Sequence, residues 1–111
     1  MSQTANWDEF ERLGLRVGTI VRAEPNTGAR DPSYRLWIDL GEPVSAQSSA
    51  KITDRYRVDS LVGRQVVVVT GFEPLRVGGF RSDVLVLGAA SDDGVVLLGP
   101  DEHVTPGATV A

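Results

Sequence analysis

At 111 residues the chain suits a single domain with one small core. It has no cysteine, which excludes disulfides, thiolate metal sites and cysteine nucleophiles and fits a reducing compartment. The net charge of −4 argues against broad, unselective nucleic-acid binding, yet all 11 basic residues lie within 12–81, where they outnumber seven acids, while residues 1–11 and 82–111 carry acids only.

Ten of the bases are arginine, which forks onto phosphate and stacks on flat groups better than lysine. A local basic patch on an otherwise acidic protein is expected. The N-terminal stretch MSQTANWDEF has neither a basic nor an apolar signal region. No apolar run approaches the roughly 18–20 residues that span a bilayer. A soluble cytoplasmic protein is the expectation.

Trp7, Phe10 and Leu13 are spaced i, i+3, i+6, which predicts one or two helical turns, with Asn6 as N-cap and Gly14 as the stop. LRVGTIVRAE then alternates as a half-buried strand, with Leu15, Val17, Thr19, Val21 and Ala23 on one face and Arg16, Gly18, Ile20, Arg22 and Glu24 on the other. Pro25-Asn26-Thr27-Gly28 and Asp31-Pro32-Ser33 make residues 25–33 a loop. In YRLWIDL the core face is Tyr34, Leu36, Ile38 and Leu40, which leaves Trp37 outward between Arg35 and Asp39 and in need of a partner.

Val44 to Ser48 reads as a short third strand, and residues 50–57 as a short helix with Ser48 and Ser49 at its cap. QVVVVT is a fourth strand and VLVLGA a fifth, both apolar on two faces, with a long loop over 71–83 between them. Asp92-Asp93-Gly94 turns tightly into VVLLG, and TPGATVA adds a last extended piece. Three strands, a helix and two strands match the OB-fold, so the expected class is all-β: a five-stranded Greek-key barrel with short helices and an extra C-terminal hairpin. The two-sided apolar strands exceed what one small barrel can enclose. A second copy or the N-terminal helix is expected to cover part of Val66–Val69 and Val84–Leu87.

Catalytic readings fare poorly. Ser48 and Ser49 lack a nucleophile elbow, and the only histidine, His103, lies in the acidic stretch DEHVTPG. A hydrolase using either serine, with Lys51 as base, is the weakest reading. Asp101, Glu102 and His103 are chain neighbours and do not converge on one ion; Gly78-Gly79 precedes no phosphate-loop lysine. No metal, no cofactor and no enzymatic activity are expected.

Binding suits the pattern better. An OB-fold binds on strands 2 and 3, between the loops joining strands 1 to 2 and 4 to 5. Those places hold Arg30; Arg35 and Trp37; and Arg76, Phe80, Arg81 and Ser82, with Lys51 and Arg55 beside them. Arginines would meet phosphates, and Trp37 or Phe80 would stack a base. Trp37 as a dimer contact and Phe80 as a plug at the barrel end are the structural alternatives. A homodimer would also create grooves lined by Trp7, Phe10, Leu13 and Trp37 that suit apolar peptide.

The strings LRVGTIVRAE, IDLG, QSSAKITDRY, LVGRQVVVVTGFEP, GGFRSDVLVLG and VVLLGPD run in order over nearly the whole chain and resemble the CsaA family. That family is itself similar to the tRNA-binding domain of methionyl-tRNA synthetases. The resemblance implies a homodimer, tRNA binding over an OB-fold domain at 10–111 preceded by a flexible 1–9 segment that begins the helix, and an export-related chaperone activity on unfolded precursor proteins. Ser82 matches the family's loop-to-strand serine, and Val84-Leu85 replace the Gly-Met that follows it in the tRNA-binding domains. Gly71 stands where the family commonly has asparagine, which removes an amide near the implied site. Trp37 is larger than the aliphatic residue expected there.

Overall fold

A computed structural model describes residues 3–111 of the chain. Of the expected N-terminal segment over 1–9, residues 1 and 2 lie outside the described residues, and 7–9 already belong to a helix. That helix, α1, spans Trp7–Leu13. Its start is a capping box: the Glu9 N–H donates to Asn6 Oδ1 at 2.9 Å and the Asn6 N–H to Glu9 Oε1 at 3.1 Å. Its end is seated on the barrel. The Thr70 hydroxyl donates to the Gly14 carbonyl at 2.8 Å, and the Gly71 N–H to the Leu13 carbonyl at 2.9 Å. A Cβ at position 71 would overlap the Arg12 carbonyl oxygen.

The barrel strands are β1 Leu15–Pro25, β2 Tyr34–Asp39, β3 Ala46–Ala50, β4 Gln65–Val69 and, after a short hairpin of β5 Leu75–Val77 and β6 Phe80–Ser82, β7 Leu85–Val86. They lie in the order β3-β2-β1-β4-β7, all antiparallel. The Asp83 N–H bonds to the Gln47 carbonyl at 2.7 Å and draws the two ends of the sheet together. This is a five-strand, nearly closed barrel of the OB type. A second hairpin, β8 Gly88–Ser91 and β9 Gly94–Leu97, turns through Asp92-Asp93 as the sequence suggests. The core is Ile20, Leu36, Ile38, Leu40, Ile52, Leu61, Val66, Val68 and Val84. No helix among the described residues is long and apolar enough to cross a membrane.

Four local readings are corrected. The alternation of β1 breaks at a bulge: Ile20 pairs with Ile38, but Arg22 pairs with Trp37, which leaves Val21 extra. Ile20 is therefore in the core and Arg22 outside, although strict alternation puts them on one face. Residues 50–57 form no helix. The chain leaves β3 through turns at Thr53–Arg55, and a single 3₁₀ turn follows at Val58–Ser60. Ser48 and Ser49 consequently cap nothing; both lie inside β3. The long loop over 71–83 is largely the β5–β6 hairpin, its turn made by Gly78-Gly79.

The C-terminal stretch adds to the sheet. Val17 N–H bonds to the Ala108 carbonyl at 2.8 Å and Val110 N–H to the Leu15 carbonyl at 2.9 Å, so the expected last extended piece fills the free edge of β1. Arg16 ties it down, donating to the carbonyls of Gly107 and Leu40 at 3.1 and 2.8 Å.

Candidate nucleic-acid interface

The bulge at Val21 decides what the outer face of β1–β3 carries. Beyond it, residues pair across three strands in two outward rows: Arg22, Trp37, Gln47 and Glu24, Arg35, Ser49. In the first row the Arg22 guanidinium lies 4.3 Å from the centre of the Trp37 ring, a cation–π contact. The Gln47 amide, with its oxygen toward the indole, accepts from Trp37 Nε1 at 3.1 Å and donates to the Arg81 carbonyl at 3.2 Å. In the second row Arg35 Nε donates to Asn26 Oδ1 at 3.0 Å. Glu24 faces both arginines, 3.0 Å from Arg22 and 4.0 Å from Arg35.

The β5–β6 hairpin folds onto this face from the side of β3. Phe80 meets Trp37 edge-on, ring centres 5.2 Å apart, and lies under the Arg35 guanidinium at 5.1 Å. It is only 7% exposed, so Trp37 presents the accessible ring and Phe80 supports it from below. Ser82 Oγ accepts the Ser49 N–H at 3.1 Å and donates to the Val84 carbonyl, which pins β6 to β3. The loop over 26–33 reaches the same hairpin. Gly28 and Gly78 touch backbone to backbone, where a side chain on either would overlap the other. Asn26, 5% exposed, completes the junction: its Nδ2 donates to the Val77 carbonyl at 3.0 Å and to Ser49 Oγ at 3.2 Å.

The fold thus brings Arg35, Trp37, Phe80, Arg81 and Ser82 together. Arg76 belongs to the rim, exposed, with Nη1 on the Gly79 carbonyl. Lys51 and Arg30 sit at the edge near the 26–33 loop, where Lys51 pairs with Asp31 at 2.9 Å and Arg30 is exposed. Arg55 is placed elsewhere, its Cγ against Gly94 at the tip of the C-terminal hairpin. With no helix over 50–57, Lys51 and Arg55 do not share a face. Arg81 is held by Asp83 at 2.6 Å. Several expected phosphate contacts are thus already neutralised from within the chain, and such exposed pairs open at a cost of only about 0–1 kcal/mol.

Sequence reasoning missed Arg22, Glu24, Asn26 and Gln47. No periodicity marks a bulge, and Asn26 reads as an ordinary turn residue. The signal for Gln47 was its place opposite Trp37 in the strand pairing, which needs the register to be known.

The serines are structural. Ser48 faces the barrel interior, and Ser49 Oγ bonds to Asn26 and Ser33. Among the described residues no three acidic or histidine side chains gather where they could hold a metal ion.

The apolar site is separate. Trp7, Phe10, Leu15 and Val110 line a groove of about 420 Å³ between α1 and the C-terminal stretch. Trp7 is 77% exposed there. Leu13 and Trp37, expected with them, do not line it.

Residues 15–109, the whole barrel with both rims of the outer face, match the family model described as "Putative tRNA binding domain". The chain belongs to the tRNA-binding domain family. Within this family it is similar to methionine–tRNA ligase of Methanothrix thermoacetophila, 43% identical over 101 residues, which are 91% of this chain and 15% of the ligase. The chain therefore spans about one-seventh of the length of that curated relative. Among solved structures it resembles the chaperone CsaA of Bacillus anthracis, with 46% identity, a TM-score of 0.89, and coverage of 97% of this chain and 99% of the other. CsaA of Picrophilus torridus is 37% identical with the same TM-score, covering 97% and 100%. The CsaA resemblance drawn from the sequence strings holds over the whole fold.

Proposed function

We propose that this protein binds RNA of the tRNA class without catalysis, through the outer face of β1–β3 and the rim made by the 26–33 loop and the β5–β6 hairpin. The observation that carries the reading is the cluster of Arg22, Arg35, Trp37 and Phe80 at the place where OB-folds bind chains. Trp37 offers a stacking face, and Arg30, Arg76 and Arg81 surround it with phosphate contacts. Family membership and the methionine–tRNA ligase relatives support the same ligand. Labelled tRNA titrated across a salt series tests it. Binding should be measurable at low salt and weaken as salt rises, because phosphate contacts release counterions. No binding at the lowest salt would rule the reading out.

A second reading, chaperone-like holding of apolar stretches of unfolded proteins, is favoured by the apolar groove at α1 and by the CsaA neighbours. An unfolded polypeptide carried through the same salt series separates the two, since apolar contacts survive salt. The same groove also suits a second copy. We infer a cytoplasmic homodimer that buries Trp7 and Phe10. Light scattering at micromolar concentration should give twice the 11.9 kDa chain mass; a single chain mass refutes the dimer.

A further inference from the structure

We propose that Glu24 is a built-in competitor for RNA phosphate, and that it makes the outer face prefer unpaired RNA over duplex. The inference rests on the RNA-binding reading above and adds to it a residue that sets selectivity. One carboxylate serves two guanidiniums: Oε2 lies 3.0 Å from Arg22 Nη2 and Oε1 4.0 Å from Arg35 Nη1. Each guanidinium also lies over an aromatic ring, Trp37 for Arg22 and Phe80 for Arg35. A carboxylate facing two arginine forks occupies the position that a phosphate would take.

Glu24 differs from the other acids at this face. Asp83 is anchored by the Gln47 N–H, and Asp31 serves the more distant Lys51. Among the described residues the Glu24 side chain has no partner apart from the two arginines, and the strand register holds its backbone opposite Arg35. Its backbone cannot leave the face, so an incoming phosphate must share the arginines with its carboxylate or push that carboxylate aside. A duplex brings phosphates alone and gains little from that exchange. A loop or single strand also brings an unstacked base, which can take the Trp37 face that Arg22 vacates as it turns to the phosphate. The carboxylate therefore raises the threshold for phosphate and leaves stacking to overcome it.

The experiment titrates labelled tRNA, a 12-nucleotide single strand and its duplex into the wild-type protein and Glu24→Gln, which keeps the shape and removes the charge. The variant should bind all three more tightly, roughly three- to tenfold. The gain should be largest for the duplex, so the single-strand preference shrinks. The slope of log affinity against log salt should steepen by about one. Asp59→Asn, which removes the same charge from the exposed Arg57 pair, should leave the preference unchanged. Glu24→Ala serves if the glutamine variant unfolds early by circular dichroism. If the wild type binds RNA and the Glu24 variants bind no tighter, or Asp59→Asn acts equally, the inference is overturned while RNA binding stands. If the wild type binds none of the three, both fall.

Discussion

Asn26→Ala should lower the stability of the fold by about 2–4 kcal/mol and weaken tRNA binding in the same variant. The magnitude follows from what the side chain joins. Its amide holds the Val77 carbonyl and Ser49 Oγ, and its oxygen accepts from the charged Arg35. Hydrogen bonds to charged groups contribute about 1.5–3 kcal/mol, and a carbonyl left buried without a donor adds about 1–3 kcal/mol to the loss. Asn26 is one of the few polar residues in the interior of this chain, so water does not readily take its place. For a domain of about this size such a loss shifts the melting midpoint by about 10 °C or more. Urea unfolding measures the first effect. The second appears in a titration at a temperature where the variant remains folded: without Asn26 the 26–33 loop and the β5–β6 hairpin keep their Gly28–Gly78 contact but lose the hydrogen bonds of the buried amide, and Arg35 loses its hydrogen bond to Asn26 Oδ1. A variant as stable as the wild type would show that the buried amide is not what joins them.

Trp37→Ala should reduce tRNA affinity about tenfold or more, since stacking on an aromatic side chain contributes about 1–3 kcal/mol per base. The loss should persist as salt rises. That separates it from Arg76→Ala, whose smaller loss should fade along with the other phosphate contacts. Trp37 also shelters Phe80 and holds Arg22 in place, so the variant exposes an aromatic ring and frees a cation. Titration at two salt concentrations gives both quantities. Unchanged affinity at both would remove Trp37 from the site and leave the arginines to explain binding alone.

The strand content, the succession of barrel strands along the chain and the inward face of β2 were legible because they rest on period-two alternation and turn residues, which act locally. The tight turn at Asp92-Asp93 and the capped helix at Trp7–Leu13 were legible for the same reason. What could not be read depends on pairing between distant segments. The bulge at Val21 exists because Ile20 and Arg22 must meet Ile38 and Trp37, and nothing within β1 announces it. The helix expected over 50–57 was a local suggestion that tertiary packing overrode: Ile52 is drawn into the core, and Tyr56 accepts the Leu97 N–H on its hydroxyl. For the site, the aromatic and basic members could be named one by one, because an OB-fold binds in a known place. Their mutual neutralisation could not, since Glu24, Asp31 and Asp83 read as ordinary surface acids until their partners were fixed.

Position 71 bears on how this surface can change by mutation. The Arg12 carbonyl lies where a side chain would begin, so an asparagine does not fit there while α1 stays docked as it is. The two features are epistatic. Gly71→Asn must shift the end of the helix, whereas losing the helix contact removes the three atoms nearest to the new Cβ. A gain in RNA affinity that leaves α1 docked therefore has to come from other positions on the face, Glu24 among them.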